Sequence, residues 1–458
     1  MVQRLDSVMA AYQGLNWNAT VIIGKGDHIL YRKAIGFADV ANKIPLKEET
    51  FLASASVGKM FTATRILQLV GQGKLNLQGT LKQYLPQWNI KGADSITLHH
   101  LLTHTSGLAS AWDHPDYDFK KNYSPLQFQK MAEEVPLVFD TPGKSYYYSN
   151  IGFYLLGEII AKVDRMPYAK VIEKYIFAPA GINPVEQIEQ AGQIAIPYYQ
   201  VSSTRFIEDR EQEISRIAPG DGSGGWILNA QQLYKFLETY QKGKYLSKEA
   251  MDIQRTANHH YNGMERNYRY GLALLAPNFK TPKAIFGHNG GGKGFTAEGF
   301  FDPASGYTVV MFSNQYGTGY SLTTNLFRVL SGEEIVPSKP LAYIRLIEHL
   351  YNRGDEYVTN NTADFFAEIE LKPTEFLLSQ AFDILQLDKD YQHAKTIAKI
   401  GRQIFPTKIG QWLNSADNAL KLGEKERARE FYLHAKKLSE EQNDAMSLKA
   451  IAVHMSNL

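Results

Sequence analysis

Ser56-Val57-Gly58-Lys59 follows Phe51-Leu52-Ala53-Ser54-Ala55 and opens the run Met60, Phe61, Ala63, Ile66, Leu67, Leu69, Val70. Those apolar positions recur at the period of one helix face. Residues three apart share a face of a helix. The spacing therefore predicts Ser56 and Lys59 one above the other at a helix N-terminus. A nucleophile placed there gains from free backbone N–H groups and from the positive end of the helix dipole. A serine hydroxyl still needs a neighbouring base to take its proton. A lysine one turn away can do this if its site favours the neutral amine. The tetrad has only two fixed positions, and by itself it also describes a capping serine beside a solvated lysine.

The surroundings narrow the reading. With 458 residues, the chain is expected to form two domains. Hydrophobic residues at 44% and charged residues at 21% describe a globular protein with a full core. A net charge of +2 gives no case for nucleic acid or a strongly acidic partner. With no cysteine there is neither disulfide nor thiol chemistry, which suits the cytosol or a bacterial periplasm. No stretch is long and apolar enough to span a membrane. The opening Met-Val-Gln-Arg-Leu-Asp lacks the apolar core of a signal peptide.

Arg4 to Tyr12 reads as an amphipathic helix, and Thr20 to Gly24 with His28 to Lys33 as a hairpin. The helix after Ser56 stops near Gly71-Gln72-Gly73, and Leu81 to Trp88 reads as a helix broken by Pro86. His99, His100 and His104 invite a metal reading. No acidic residue or cysteine stands at ligand spacing, and alternation with leucine suits a half-buried helix end. Asp113 to Pro136 is expected to be a loop covering a cleft. Thr141 to Asn150 carries a Pro-Gly turn and Tyr146-Tyr147-Tyr148-Ser149-Asn150, leading into a helix from Ile151 to Val163. A phenol can relay a proton and an asparagine amide can hold a carbonyl. The plainer reading of that stretch is a packed aromatic loop.

Asp221-Gly-Ser-Gly-Gly-Trp226 is a tight turn before a helix capped near Asn229; it lacks the preceding strand and following lysine of a phosphate loop. Tyr268 to Leu275, Ala284 to His288, Phe295 to Phe301 and Tyr307 to Phe312 read as an antiparallel meander. The glycines after His288 would let a substrate approach the backbone closely. A helix from Ser321 to Leu330 would pack on this sheet.

In order along the chain, Ser56-x-x-Lys59, Tyr148-x-Asn150 and His288-x-Gly290 resemble the signature of the penicillin-recognising serine hydrolases. The similarity is to the branch of class C β-lactamases, D-alanyl-D-alanine carboxypeptidases and related esterases. It extends to Gly36-Phe-Ala-Asp39, Leu102 to Gly107 and Gly287 to Gly290, and covers about residues 5 to 331. The resemblance implies that Ser56 is acylated and that Lys59 and Tyr148 share proton transfer, with the base left open between them. It implies that Asn150, His288 and Gly290 bind substrate, and that the N–H groups of Ser56 and Gly291 form the oxyanion hole. Acylation is followed by hydrolysis, with no metal and no cofactor. Class C β-lactamases have Lys-Thr-Gly where this chain has His288-Asn289-Gly290. The histidine form is similar to the carboxypeptidase and esterase side. Such a histidine is expected to titrate near pH 6.5 and to offer a substrate a donor or a charge.

After Gly332 the chain changes character. Pro337 and Pro340 mark a linker, and everything from Leu341 reads helical. Leu378, Phe382, Ala394 and Ala398 recur 34 residues later as Trp412, Ala416, Ala428 and Tyr432, and Gly401 as Ala435. That period resembles tetratricopeptide repeats. It allows either a prop for the hydrolase or a surface for a protein partner.

The expectation is an α/β (α+β) serine β-lactamase-like domain over 1–331, with an antiparallel sheet flanked by helices and an all-α subdomain. A linker at 332–340 and an all-α helical-repeat domain over 341–458 follow. The substrate is a small-molecule or peptide acyl compound, with an amide, ester or β-lactam carbonyl. The competing reading is a penicillin-binding sensor that is acylated without turning over. The expected location is periplasmic or extracellular, the signal peptide lying outside this sequence, with a cytoplasmic location left open.

Overall fold

The computed structural model describes residues 1–110, 114, 123–183, 194–209, 220–256, 260–261, 264–265, 269–275, 284–292, 294–456 and 458. They form two compact units, one of residues 1–198 and 209–338, the other of residues 199–208 and 339–458.

The first unit is built on a six-stranded antiparallel sheet. Its strands are β1 (Ala19–Lys25), β2 (His28–Ile35), β3 (Ala273–Leu275), β4 (Ile285–Gly292), β5 (Phe295–Phe301) and β6 (Tyr307–Ser313). Their order across the sheet is β3-β4-β5-β6-β1-β2. The hairpin and the meander were separate readings in the sequence. In the fold β1 pairs with β6, with Ile22 opposite Val310, so the two ends of the unit share one sheet. Alternate residues of β5 face opposite layers. A Cβ on Gly299 would press against Leu233 and Leu237 of the helix Ala230–Gln241. On the other face Glu298 lies beside Thr323 of the helix Tyr320–Leu330.

Helix Lys59–Gly71 is buried on nearly every side and packs in the core with Asn150–Asp164. Arg65 within it makes a two-pronged bond to Asp164, Nε at 2.9 Å and Nη2 at 2.6 Å, with both side chains almost wholly buried. Buried charges of this kind are tolerated when each is paired and hydrogen-bonded.

Three readings are corrected. Helix Leu81–Tyr84 ends before Pro86, because the residue preceding a proline is pushed out of the helical region. The strand expected from Tyr268 shortens to Ala273–Leu275, and Gly271 at φ 62 turns the chain beneath Lys59. The stretch expected to be loop over 113–136 contains the helix Pro125–Glu134. Ser124 and Gln127 form its capping box, with proline at the first turn. Residues 113 and 115–122 of that stretch lie outside the described residues.

In the second unit, helices Glu375–Leu387 and Tyr391–Ile404 are followed by Ile409–Lys421 and Lys425–Glu441. Each helix of the second pair starts 34 residues after its counterpart (375 to 409, 391 to 425). The recurring small and aromatic positions Leu378, Phe382, Ala394, Ala398, Ala416, Ala428, Tyr432 and Ala435 are all buried. A Cβ on Gly401 would meet the end of the Gln411 side chain, which packs against the glycine. Trp412 instead stacks on His434, with ring centroids 3.6 Å apart. Residues 199–208 turn through a hairpin in this unit, where Arg205 Nη2 meets Asp388 Oδ1 at 2.6 Å. Among the described residues no helix is long and apolar enough to cross a membrane.

Candidate active site

Leu52 and Ala53 pair with Leu228 and Ile227, and Ser54 N donates to Trp226 O at 2.7 Å. This short pairing brings the turn 221–226 beside the serine. Ala55 then takes φ 43, a left-handed conformation that costs a non-glycine residue energy. The following turn, Ala55–Gly58, is 3-10 rather than α, and the α-helix proper begins at Lys59. A 3-10 turn has three residues, so Ser56 and Lys59 eclipse more closely than the predicted α-helix would place them.

Glycines make room for this turn. Gly225 N donates to Ala55 O at 3.0 Å. A Cβ on Gly224 would strike Ala55 O, and one on Gly58 would lie 2.8 Å from Gly224 Cα. On the opposite side β3 pairs only with Ile285–Gly287 of β4. The rest of that β4 edge runs against the serine turn. A Cβ on Gly290 would meet Ser54 O and stand 2.9 Å from Ser56 N. Gly58, Gly224 and Gly290 close around the nucleophile's backbone, which only residues without a Cβ can do, and Gly225 holds φ 82.

Lys59 Nζ is fully buried and reaches three oxygens: Ser56 Oγ at 3.2 Å, Asn150 Oδ1 at 2.7 Å and Ser223 O at 2.7 Å. Burial pulls its pKa down to about 7, against a smaller upward pull from the Asp221 carboxylate. Asp221 Oδ1 accepts from Ser223 N at 2.7 Å and Ser223 Oγ at 2.6 Å, fixing the turn that presents the Ser223 carbonyl. Tyr148 bonds Ser56, and burial raises its phenol well above the usual range, so it stays protonated. The Lys59 amine also lies 5.0 Å from the Tyr148 ring centroid and 5.6 Å from that of Phe153.

Ser56 and Lys59 thus meet as their spacing predicts, Tyr148 and Asn150, which the family resemblance singled out, meet them, and Gly290 packs on the serine's own backbone. His288 is placed on the same strand but differs in charge. It is buried, and its Nδ1 bonds the Asn289 carbonyl, so in the neutral ring Nδ1 carries the proton. Burial and the nearby Lys59 lower its pKa from 6.5 to about 3, where a titrating group near pH 6.5 was expected. Gly291 is exposed on β4, beside Tyr316, whose Cε2 would lie 3.7 Å from an added Cβ.

Sequence reasoning missed Ser223, whose contribution is a backbone carbonyl. The signal available was the three glycines at 222, 224 and 225 around it. It also set aside the three histidines as a helix end, and here they part company. His99 bonds Tyr270 at 2.5 Å, His100 caps its helix through Thr97 N at 3.2 Å, and His104 lies against Tyr148. Among the described residues no group of three His, Asp or Glu side chains could hold a metal ion.

The beta-lactamase family profile matches residues 8–332. The chain belongs to the beta-lactamase family. It is 30% identical over 295 residues to penicillin-binding protein 4* of Bacillus subtilis, covering 61% of this chain and 64% of that protein. The chain therefore spans just under two thirds of that relative's length. It is 26% identical over 378 residues to esterase EstB of Burkholderia gladioli, covering 70% of this chain and 92% of the esterase. The fold matches the octameric penicillin-binding protein homologue of Pyrococcus abyssi with a TM-score of 0.63 at 24% identity, over 77% of this chain and 82% of that one. Its relatives thus include a penicillin-binding protein and an esterase.

Proposed function

We propose that this beta-lactamase family member hydrolyses an ester or amide through an acyl-enzyme on Ser56, with Lys59 as the general base. The hydrogen bonds of Lys59 carry this reading. A neutral amine has two N–H donors and one lone pair. The oxygens of Asn150 and Ser223, each at 2.7 Å, take the two N–H bonds. The lone pair is left for the Ser56 hydroxyl proton at 3.2 Å. A pKa near 7 keeps the neutral form populated at working pH.

Ser56 Oγ bonds the substrate carbonyl carbon as its proton passes to Lys59, and the carbonyl electron pair moves onto oxygen. The N–H groups of Ser56 and Gly291 are the proposed receivers of that oxyanion, each worth on the order of a hundredfold in rate. Collapse breaks the bond to the leaving group. That group takes the proton from Lys59 through Tyr148, whose phenol accepts one proton and gives another. Water then attacks the acyl carbonyl by the same route and frees the acid. Asn150 orients Lys59 and the substrate, and His288 serves as a neutral hydrogen-bonding group. A neutral His288 supports esters and amides without a carboxylate beside the scissile bond over β-lactams.

In this proposal residues 1–331 carry the chemistry, 332–340 link, and 341–458 form tetratricopeptide-like repeats that meet a protein partner. The protein acts outside the cytoplasm. A fluorophosphonate should label wild type and leave Ser56→Ala unlabelled. A panel of p-nitrophenyl esters, nitrocefin and a D-Ala-D-Ala peptide should show turnover greatest on an ester. Labelling of Ser56→Ala would refute the nucleophile. One trapped equivalent of penicillin, with no turnover of any substrate, would favour the sensor.

A further inference from the structure

His104 is buried, holds φ 55, and takes no part in the scheme above. Its Nδ1 accepts from Ser149 N at 3.1 Å, so that nitrogen keeps its lone pair and the neutral ring carries its proton on Nε2. Its carbonyl accepts from Tyr147 N at 2.9 Å. Its ring lies over Tyr148 with centroids 4.2 Å apart at 32°, and 5.0 Å from the ring of Phe153. One residue therefore grips the backbone on both sides of Tyr148 and packs on the phenol ring between them. The segment after His104 extends the grip. Gly143 N donates to Thr105 O at 2.7 Å, Ser149 Oγ to Ala109 O at 3.0 Å, and Asn150 N to Ser110 Oγ at 3.1 Å.

Tyr148 and Asn150 sit where a turn enters a helix, and both must address Ser56 and Lys59 from that one short segment. We propose that His104 is the positioning residue of this site: through its Nδ1 acceptor and its ring face it holds the Tyr148 hydroxyl at Ser56 and the Asn150 amide at Lys59. The left-handed backbone at His104 is what lets ring and carbonyl act on the same segment together. Burial, with Lys59 and His288 nearby, keeps the imidazole neutral, as the Nδ1 acceptor role requires.

This inference rests on Ser56 being the acylated residue, and its test separates the two. Single-turnover acylation by p-nitrophenyl acetate would be followed in the full-length protein and in H104A, H104F and H104N. Phenylalanine keeps a ring on Tyr148 and removes the acceptor; asparagine keeps an acceptor near the Nδ1 position and removes the ring. In H104A the acylation rate should fall about ten- to a hundredfold, as expected for a catalytic group misplaced by around 1 Å. KM should stay within about twofold, since the change lies in the reacting geometry and not in substrate binding. H104F and H104N should each recover part of the rate. If H104A does not fold, the latter two carry the test, each expected to acylate more slowly than wild type with KM little changed. Wild-type rates in folded H104F and H104N, or a loss confined to KM, would overturn the proposal. Failure of wild type itself to acylate at Ser56 would instead overturn the nucleophile assignment.

Discussion

A Cβ on Gly290 would stand 2.9 Å from the amide nitrogen of Ser56. The third motif of this chain therefore touches the first through backbone alone. Two strand residues after the buried His288, the edge of β4 packs on the turn that carries the nucleophile.

Gly290→Ala should therefore damage catalysis more than folding. The added methyl meets Ser54 O and Ser56 N, both backbone atoms that cannot swing aside. Either the strand or the serine turn must shift, and a shift near 1 Å costs about a hundredfold in rate. Overpacking of this kind costs about 1–3 kcal/mol in stability. The check is the fluorophosphonate labelling rate beside a thermal melt. Labelling at the wild-type rate would mean that the turn relaxes freely and that Gly290 sets nothing.

Lys59 makes activity depend on pH in a stated direction. Its neutral form is the base, and its pKa is lowered to about 7, so kcat/KM should be low in acid and rise through about pH 7. Asp221→Asn keeps an oxygen for Ser223 N and Oγ but removes the charge that favours protonated Lys59. The rising limb should then move to lower pH with little change in its plateau. A limb that stays put, or moves to higher pH, would show that the titrating group is not Lys59.

His288 reverses what its residue type suggests. With the imidazole already neutral above about pH 3, nothing at this position gains or loses charge in the working range. KM for a substrate carrying a carboxylate should be flat between about pH 5.5 and 8, as it should be for a neutral ester. A KM that climbs across that range for the carboxylate substrate alone, and is flattened by His288→Lys, would show a charged histidine reading the carboxylate.

Spacing paired Ser56 with Lys59 because both sit at one helix start, whereas Tyr148 and Asn150 were singled out only by the family resemblance, their own stretch reading as a packed aromatic loop. Spacing cannot convey the environment those side chains enter. The lowered pKa of Lys59 arises from burial, which no window of sequence around it shows. The neutrality of His288 comes from burial that no window around it reveals. The pairing of β1 with β6 was likewise illegible, since strands nearly 300 residues apart carry no mark of which edge they share. Helix Pro125–Glu134 is a different case. Its Ser124-Pro125-x-Gln127 capping signal stands in the sequence, and the aromatic and charged residues before it obscured it.

Glu298 offers a prediction about stability. It lies on β5 facing away from the active-site layer, beside Thr323. Its Oε2 has no hydrogen-bond partner among the described residues. Gly319, at φ 125, leaves no room beside it: a Cβ there would lie 3.0 Å from the Glu298 carboxyl carbon. Burial raises the pKa from 4.5 to about 8, because it strips water from the carboxylate and so penalises the ionised form. The folded pKa lies above the unfolded one, so the folded state binds the extra proton between them. The stabilisation is fully present below about pH 4.5 and is lost as pH rises through about 8. Wild type should therefore melt at progressively lower temperature from about pH 5 to about pH 8. Glu298→Gln has nearly the same shape and does not ionise. Its extra N–H donors need partners and cost about 1–3 kcal/mol where they find none, so its Tm at pH 5 should be lower than that of wild type. Its Tm should nevertheless decline less across the range, and the two curves should converge as pH rises. Calorimetric melts of both proteins across that pH series decide the matter. Parallel curves would mean that Glu298 does not change its proton between the folded and unfolded states, and that its carboxylate is ionised in the core with a partner yet to be found.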